Sequence, residues 1–351
     1  VDDSAGVSRP RRRVSMADVA ALAGVSGQTV SRVLNESPRV DPVTRARVEA
    51  AMTELGYRPH RAARALRTGR TQTIGLLVST LATVGNSRML QAVAGAAASR
   101  GYALTVVTLG DEGGGAGVGA AFERLSEQGV DGVVVLNEAT AAVRDAPVPG
   151  GLRLIVVDSP PEMSARGGFG VVQSDHAAGA REATEHLLAL GHAVVHHLAG
   201  PAESFASAER ERGWREALAT AGIAAPEPVR GDWTAASARV VVAPFVADPD
   251  VTAVFAANDQ SALGAIRAFA DAGRAVPDDV SMVGFDDIAD AADYRPPLTT
   301  VRQDFDRLGE LAVAALVAAI EGGPAEFQVV PTALVLREST ARSRRDHAAI
   351  A

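Results

Sequence analysis

Apolar and polar positions change their spacing along this chain. Up to about residue 57 the apolar residues recur three and four apart, as helices require; from Thr73 onward they gather in short runs separated by alanine-rich stretches of helical period. The first region predicts three short helices. Ser15 stands as an N-cap with Asp18 three residues on, and Val19, Leu22 and Ala23 share the face to be buried. Gly24 supplies a left-handed stop, Val25 turns inward, Ser26 caps a second helix, and Val30, Val33 and Leu34 point back at the first. Asp41-Pro42 opens a third helix, with Val48, Ala51, Met52 and Leu55 on one face and Gly56 at its end.

In the second region, residues 74–78, 104–107, 133–136, 154–157, 194–198, 254–257 and 280–285 read as buried strands, with helices over 89–99, 177–190, 209–221 and 260–272. Strand and helix in alternation predict parallel sheets covered on both faces. Roughly 280 residues exceed one such sheet, so two lobes with a cleft between them are expected. Residues 110–119, polar and rich in glycine, read as a surface connection. No sequence repeat is visible, although the lobes are free to share a plan.

Charge divides the chain in the same place. No lysine occurs; residues 1–70 hold 13 Arg against 7 Asp plus Glu, and the remainder 21 Arg against 35 acids. A basic head on an acidic body suits a polyanion at one end only. The helix pair fits that partner: Gly27, Gln28, Ser31 and Arg32 face outward near the start of the second helix, where small and polar side chains meet base edges and phosphates. Ser15, Ser26, Thr29 and Asn35 complete the expected contacts, and a plain helical hairpin on an enzyme surface is the alternative. Beyond residue 59 the octet from His60 to Arg67 is helix-prone, with one large apolar residue, Leu66, and no core of its own. It reads either as a linker or as a helix ordered on DNA, its arginines on phosphates and Leu66 wedged into the minor groove.

Other chemistries are bounded by what is missing. Cysteine is absent, which excludes disulfides, thiolate zinc sites and cysteine nucleophiles. No apolar run reaches the ~18 residues of a membrane span, and residues 16–23 are too short, and broken by Asp18, for an export signal. The expected location is the cytoplasm, beside the chromosome. Gly115, Gly117, Gly119 and Ala120 partly mimic a dinucleotide fingerprint, but Asp111 and Glu112 precede them and would repel a pyrophosphate. His196 and His197 are neighbours in a strand and face opposite sides, so they cannot share a metal. Asp286-Asp287 follows a strand end without a nucleophile at suitable spacing. No catalytic residue, cofactor or metal site is expected.

Strand ends carry a better candidate. Ligands of open α/β sheets bind at the carboxyl ends of strands, where Ser79, Asp158, Asn258 and Asp286 fall. Carboxylates and amides suit sugar hydroxyls, Arg210 adds a charged donor, and Trp233 offers a flat apolar face. Each has a plain alternative: helix capping for Asp158, Asn258 and Asp286, surface charge for Arg210, core packing for Trp233.

Residues 21–26, 29–35, 47–59 and the Leu66 octet resemble the headpiece and hinge helix of the LacI/GalR family of bacterial repressors, and the resemblance continues to about residue 341 through 231–233, 258–264, 283–287 and 296–305. It implies an α/β protein: an N-terminal three-helix helix-turn-helix headpiece plus hinge helix, then a two-lobed periplasmic-binding-protein-like core of doubly wound parallel sheets. The implied boundaries are a disordered basic tail at 1–13, the headpiece at 14–59, the hinge at 60–71, the core at 72–341 and a tail at 342–351. Within the core the first lobe takes 72–170 and 303–330, and the second 171–302 and 331–341. The resemblance also implies a repressor on double-stranded operator DNA, with His60, Arg61, Arg64 and Leu66 contacting it and Leu66 as the minor-groove lever. Ser79, Asp158, Arg210, Trp233, Asn258, Asp286, Gln303 and Phe305 would form the inducer pocket, and the full set favours a galactoside. Gly27 and His60 depart from one family member that the chain otherwise resembles, which has tyrosine and asparagine there, so base preference should differ at the outer half-site from that member's. Residues 337–351 lack leucines at heptad spacing, and a homodimer is expected. A sugar receptor without DNA function and a family member with another effector are the rival readings.

Overall fold

The computed structural model describes residues 14–34, 37–57, 69–109, 115–136, 149–160, 169–324 and 326–343. Asn35, the hinge octet with His60, Arg61, Arg64 and Leu66, and the segments 1–13 and 344–351 lie outside the described residues. The chain forms two units, 1–71 and 72–351.

The first unit holds α1 (Met16–Ala23), α2 (Gly27–Leu34) and α3 (Pro42–Leu55). Ser15 caps α1 in a reciprocal box: its Oγ accepts the Asp18 N–H at 3.3 Å while its own N–H donates to Asp18 Oδ2 at 2.8 Å. Gly24, at φ 61°, turns the chain and donates to the carbonyls of Ala20 and Ala21. Ser26 caps α2, accepting from Thr29 N–H at 3.2 Å, and Asp41 with Pro42 opens α3. Val19, Ala20, Ala23, Val30, Val33, Val48 and Ala51 form the buried core, with Val25, Leu34, Met52 and Leu55 packed at its margin. Leu22 departs from expectation: it is 45% exposed. At ~100° per residue it lies roughly 105° from the middle of the stripe made by Val19, Ala20 and Ala23, beyond the reach of so small a core.

The second unit contains two six-stranded sheets. One comprises β1 (Thr73–Val78), β2 (Ala103–Thr108), β3 (Gly132–Leu136), β4 (Arg153–Val157), β5 (Gly170–Ser174) and β11 (Phe327–Val330), in the order β11-β5-β4-β3-β1-β2, all parallel. The other comprises β6 (His196–Ala199), β7 (Val229–Arg230), β8 (Ala253–Ala256), β9 (Ser281–Asp286), β10 (Thr299–Arg302) and β12 (Ala333–Val335), in the order β12-β10-β9-β8-β6-β7 with only β12 antiparallel. Setting β11 and β12 aside, both lobes run 2-1-3-4-5 in their own strand order, a doubly wound plan. The duplication is structural and leaves no repeat in the sequence.

Helices cover both faces of each sheet. In the first lobe α4 (Val84–Ser99) and α11 (Phe305–Ile320) pack on Ile74, Leu76 and Val78, whereas α5 (Gly115–Glu127) packs on Leu77, Val133 and Val135. In the second, α8 (Ala235–Val241) and α10 (Asp259–Asp271) lie on one face, and α6 (His176–Ala189) and α7 (Phe205–Thr220) on the other. The last two meet at Gly213, where a Cβ would come within 2.1 Å of the Ala177 carbonyl oxygen. A short α9 (Ala243–Ala247) completes the set.

Several expectations are corrected. Residues 104–107 are strand, but β2 is an edge and only half-buried, with Val106 39% exposed. Residues 115–119 are not connection: they are the first turns of α5, and they include the glycines of the supposed fingerprint. The helices of the core begin up to five residues earlier than periodicity indicates, at the polar caps Thr83, Asp175, Ser204 and Asn258, because their first turns carry few large apolar residues. β5, β7, β10, β11 and β12 were not foreseen; they are short or interrupted by polar residues such as Gln173 and Thr300. Because β5 pairs with β4, residues 171–174 belong to the first sheet, not the second. Neither Asp158 nor Asp286 caps a helix; Asn258 does.

Candidate functional site

The carboxyl ends of strands from both lobes meet at one cleft. Asp158 follows β4, Asp286 ends β9, Asn258 lies two residues past β8, and Gln303 follows β10. Among the cavity-lining residues are Asp158, Arg210, Trp233, Asn258, Asp286, Gln303 and Phe305, seven of the eight expected. Ser79, just beyond β1 and half-buried, is not among them. The cavity proper measures ≈ 40 Å³, inside a cleft of ≈ 500 Å³ counted to its open mouth.

The backbone is strained at this site. Of five non-glycine residues with positive φ among those described, Asp158 (58°), Trp233 (75°) and Asp286 (117°) line the cavity. Each is held from outside. Asp158 Oδ1 accepts from Ser174 N–H at 3.3 Å and lies 2.9 Å from His176 Nε2. The Trp233 carbonyl accepts from Asn258 Nδ2 at 3.0 Å, and its indole lies on Gly200, where a Cβ would fall 2.5 Å from the ring. Asp286 Oδ1 accepts from Gln303 Nε2 at 2.6 Å.

Arg210 ties these groups together. It is 4% exposed, donates to the Ala257 carbonyl and to His176 Nδ1, and reaches Asp286 Oδ1 at 3.6 Å. Its guanidinium also sits 3.9 Å above the Phe285 ring centroid and 5.5 Å from that of Trp233. Burial pushes the Asp286 carboxyl above its ordinary value; Arg210 and the Gln303 hydrogen bond draw it back, and Asp158 adds repulsion. Behind it Asp259 is raised further, by burial and then by Asp286, although its oxygens accept from the Thr300 hydroxyl at 2.5 Å and Ile288 N–H at 2.9 Å.

The two carboxylates share one property. Asp158 and Asp286 each have Oδ1 engaged, while Oδ2 accepts no hydrogen bond from the described residues. Trp233 Nε1 is likewise buried without a partner among them. Two acceptors, an indole N–H and an apolar ring around a small cavity match a polyol with a C–H face. They do not match acid/base work by the aspartate pair, because Asp287 turns away into Arg302 Nε (2.7 Å) and Arg337 Nη2 (2.6 Å). His196 and His197 also part, His196 against Phe245 and His197 against Phe255 and Trp214, where burial lowers His197 to about 4. No group of metal-ligating side chains occurs among the described residues.

Sequence reasoning missed the contribution of the helix starts. Thr83, Asn86 and Met89 on α4, Ser204 and Ala206 at α7, and Leu308 on α11 also line the cavity. Thr83 and Ser204 are N-caps, a legible signal had the helix starts been placed correctly. The first turn of α4 also crosses to the other lobe, Val84 N–H donating to Gln260 Oε1 at 3.0 Å. His176, buried behind Asp158 and Arg210, gave no pattern to read.

In the first unit Ser15, Ser26, Gly27, Gln28 and Arg32 are exposed, and Thr29 and Ser31 half-buried. No helix among the described residues is long and apolar enough to cross a membrane.

Residues 15–60 match the family of bacterial regulatory proteins, lacI family, and residues 184–340 match a periplasmic binding protein-like domain. The lactose operon repressor of Escherichia coli (strain K12) is 38% identical over 335 residues, covering 93% of this chain and 91% of its own. A crystal structure of the lac repressor dimer bound to operator and the anti-inducer ONPF superposes with TM-score 0.82 at 35% identity, over 94% of this chain and 100% of that one. The regulator CelR of Thermobifida fusca is 37% identical over 350 residues, 94% of this chain and 99% of its own. A solved CelR-cellobiose complex aligns with TM-score 0.69 and 35% identity, over 93% and 100%.

Proposed function

We propose, because this chain belongs to the lacI family of bacterial regulatory proteins, that it represses a sugar-utilisation operon and leaves its operator when a galactoside-type inducer enters the cleft. It is a DNA-binding repressor of that family rather than an enzyme. The observation that carries the sugar reading is the pair of buried carboxylates, Asp158 and Asp286, which line the cavity with Trp233, each with Oδ1 engaged and Oδ2 accepting no hydrogen bond from the described residues. Neighbouring hydroxyls on one face of a pyranose donate to such oxygens, and its C–H face covers the indole.

On the DNA side, Gln28 and Arg32 of α2 read the major groove, with Ser15 and Ser26 on phosphates, His60, Arg61 and Arg64 also contacting the duplex, and Leu66 at the operator centre. The protein acts as a homodimer, as the lac repressor dimer suggests. Operator and inducer then oppose each other through one coupling free energy, equal in both directions.

The test is a gel-shift titration of the protein on its operator with β-galactosides and with cellobiose. Release by a galactoside supports the reading. Release by cellobiose alone favours the second reading, a cellobiose-type effector, which the likeness to CelR motivates. Release by another metabolite and by no sugar overturns both.

A further inference from the structure

His176 is 1% exposed and opens α6, on the segment that carries the chain from the first sheet to the second. Its backbone is pinned on both sides: Asp175 N–H donates to the Val330 carbonyl at 2.8 Å, and the Asp175 carboxylate caps α6 through Ala178 N–H at 3.1 Å. The imidazole stands edge-on to Phe205, centroids 6.5 Å apart, and tilted over Phe285 at 5.9 Å, and these contacts set the plane of the ring. Arg210 Nε can only donate, so Nδ1, 3.4 Å away, is the acceptor and the ring proton sits on Nε2. Nε2 therefore donates to Asp158 Oδ1 at 2.9 Å.

Resting on the sugar reading above, we propose that His176 is a positioning residue of the effector site, joining Asp158 of one lobe to Arg210 of the other through its two ring nitrogens. The imidazole and Ser174 N–H together engage Asp158 Oδ1 and so aim Oδ2 at the cavity. On the other side the ring accepts Arg210 Nε, which holds the end of the guanidinium near Asp286. Each lobe's carboxylate is thus oriented with reference to the same imidazole, and a sugar that bridges them meets acceptors already set at their spacing. This goes beyond lining the cavity, since His176 acts from behind it.

Two substitutions separate the nitrogens. His176→Gln can keep an amide donor near Nε2 for Asp158 but leaves Arg210 Nε without its acceptor; His176→Asn keeps an acceptor near Nδ1 but withdraws the donor from Asp158. The releasing sugar is titrated calorimetrically into the full-length wild type, both variants, Asp158→Asn, and the double variant His176→Asn/Asp158→Asn, with cooperative thermal unfolding as the check that each is folded. We expect His176→Asn to weaken sugar binding roughly 10- to 100-fold, the range of a hydrogen bond to a charged group. In the Asp158→Asn background the same change should cost less than threefold, because the residue through which it acts is already altered. His176→Gln should retain more affinity than His176→Asn. Losses that simply multiply in the double variant, or wild-type affinity in His176→Asn, overturn the proposal. If His176→Asn fails to unfold cooperatively, His176→Ala, alone and combined with Asp158→Asn, decides: the pair must lose less than the product of the two single losses. A wild type that binds none of the sugars defeats the reading on which the proposal rests, and the proposal with it; a wild type that binds with additive variants defeats the proposal alone.

Discussion

Replacing Asp286 by asparagine tests the effector site most directly, because it keeps the shape and removes the charge. The residue is 6% exposed; its Oδ1 accepts from Gln303 Nε2 at 2.6 Å, and Arg210 Nη2 lies 3.6 Å away. In Asp286→Asn the amide oxygen can still serve Gln303. Arg210 keeps the Ala257 carbonyl, His176 and its seat over Phe285. The fold should therefore lose only about 1 kcal/mol. The position of Oδ2 passes from acceptor to donor, and a sugar hydroxyl that donates there is left facing an N–H. Loss of a hydrogen bond to a charged acceptor is worth about 1.5–3 kcal/mol, so sugar binding should weaken roughly 10- to 100-fold. Asp286→Ala removes the partner of a buried guanidinium as well. Complete loss of such a partner costs about 3–5 kcal/mol; with the remaining contacts of Arg210 the expected figure is about 2–3 kcal/mol of stability, together with loss of sugar-dependent release from operator DNA. Calorimetric titration gives the affinity and a gel shift the release midpoint, and the two should move by the same factor. Binding of sugar to Asp286→Asn within threefold of wild type would refute the assignment of Oδ2 as an acceptor.

Other outcomes follow from the same geometry. Gly200→Ala would thrust a Cβ to 2.5 Å from the Trp233 ring, displacing the indole, costing about 1–3 kcal/mol of stability and weakening sugar binding; wild-type affinity by calorimetry would show that the indole does not rest there. Gly213→Ala meets backbone, with 2.1 Å to the Ala177 carbonyl oxygen, so α6 and α7 must separate, and a fall in the thermal midpoint of the core is expected; an unchanged midpoint counts against that packing. Ser15→Ala removes the side-chain half of the capping box and about 1 kcal/mol from α1, so amides of that helix should exchange with deuterium about fivefold faster in the intact chain; equal protection would contradict the cap. Folded Asp259 and Asp286 hold protons more tightly than the unfolded chain, so their contribution to stability declines as pH rises from the ordinary carboxylate value of 3.8 toward their raised values. Denaturant titrations across that window should show the decline shallower in Asp259→Asn than in the wild type; an identical slope would refute the burial argument.

The sequence by itself determined the local units of this protein. Ser15 with Asp18, Gly24, Ser26, Asp41-Pro42 and Gly56 fix where the first three helices begin and end, since capping and left-handed turns depend on a few neighbouring residues. Runs such as 133–136 and 280–285 point to buried strands because they are short, carry valine, and are bounded by polar residues or glycine, which suits a covered sheet better than a helix. Strand-end position alone marked Asp158, Asn258 and Asp286 as candidates, whereas Gln303 and Phe305 came from the family resemblance. Tertiary structure decided the rest. That β2 is an edge, that β5 stays with the first sheet, and that Leu22 meets solvent depend on what packs against them from distant parts of the chain. Whether a strand-end polar residue caps a helix or faces a cavity is equally nonlocal: Asn258 caps α10 and also holds Trp233, while Asp158 of the first lobe depends on His176, which follows it by 18 residues and also meets Arg210 of the second lobe. Such pairings arise from sheet order and lobe crossing, and the free energy that fixes them, burial of charge against a specific partner, exists only once the chain has closed on itself.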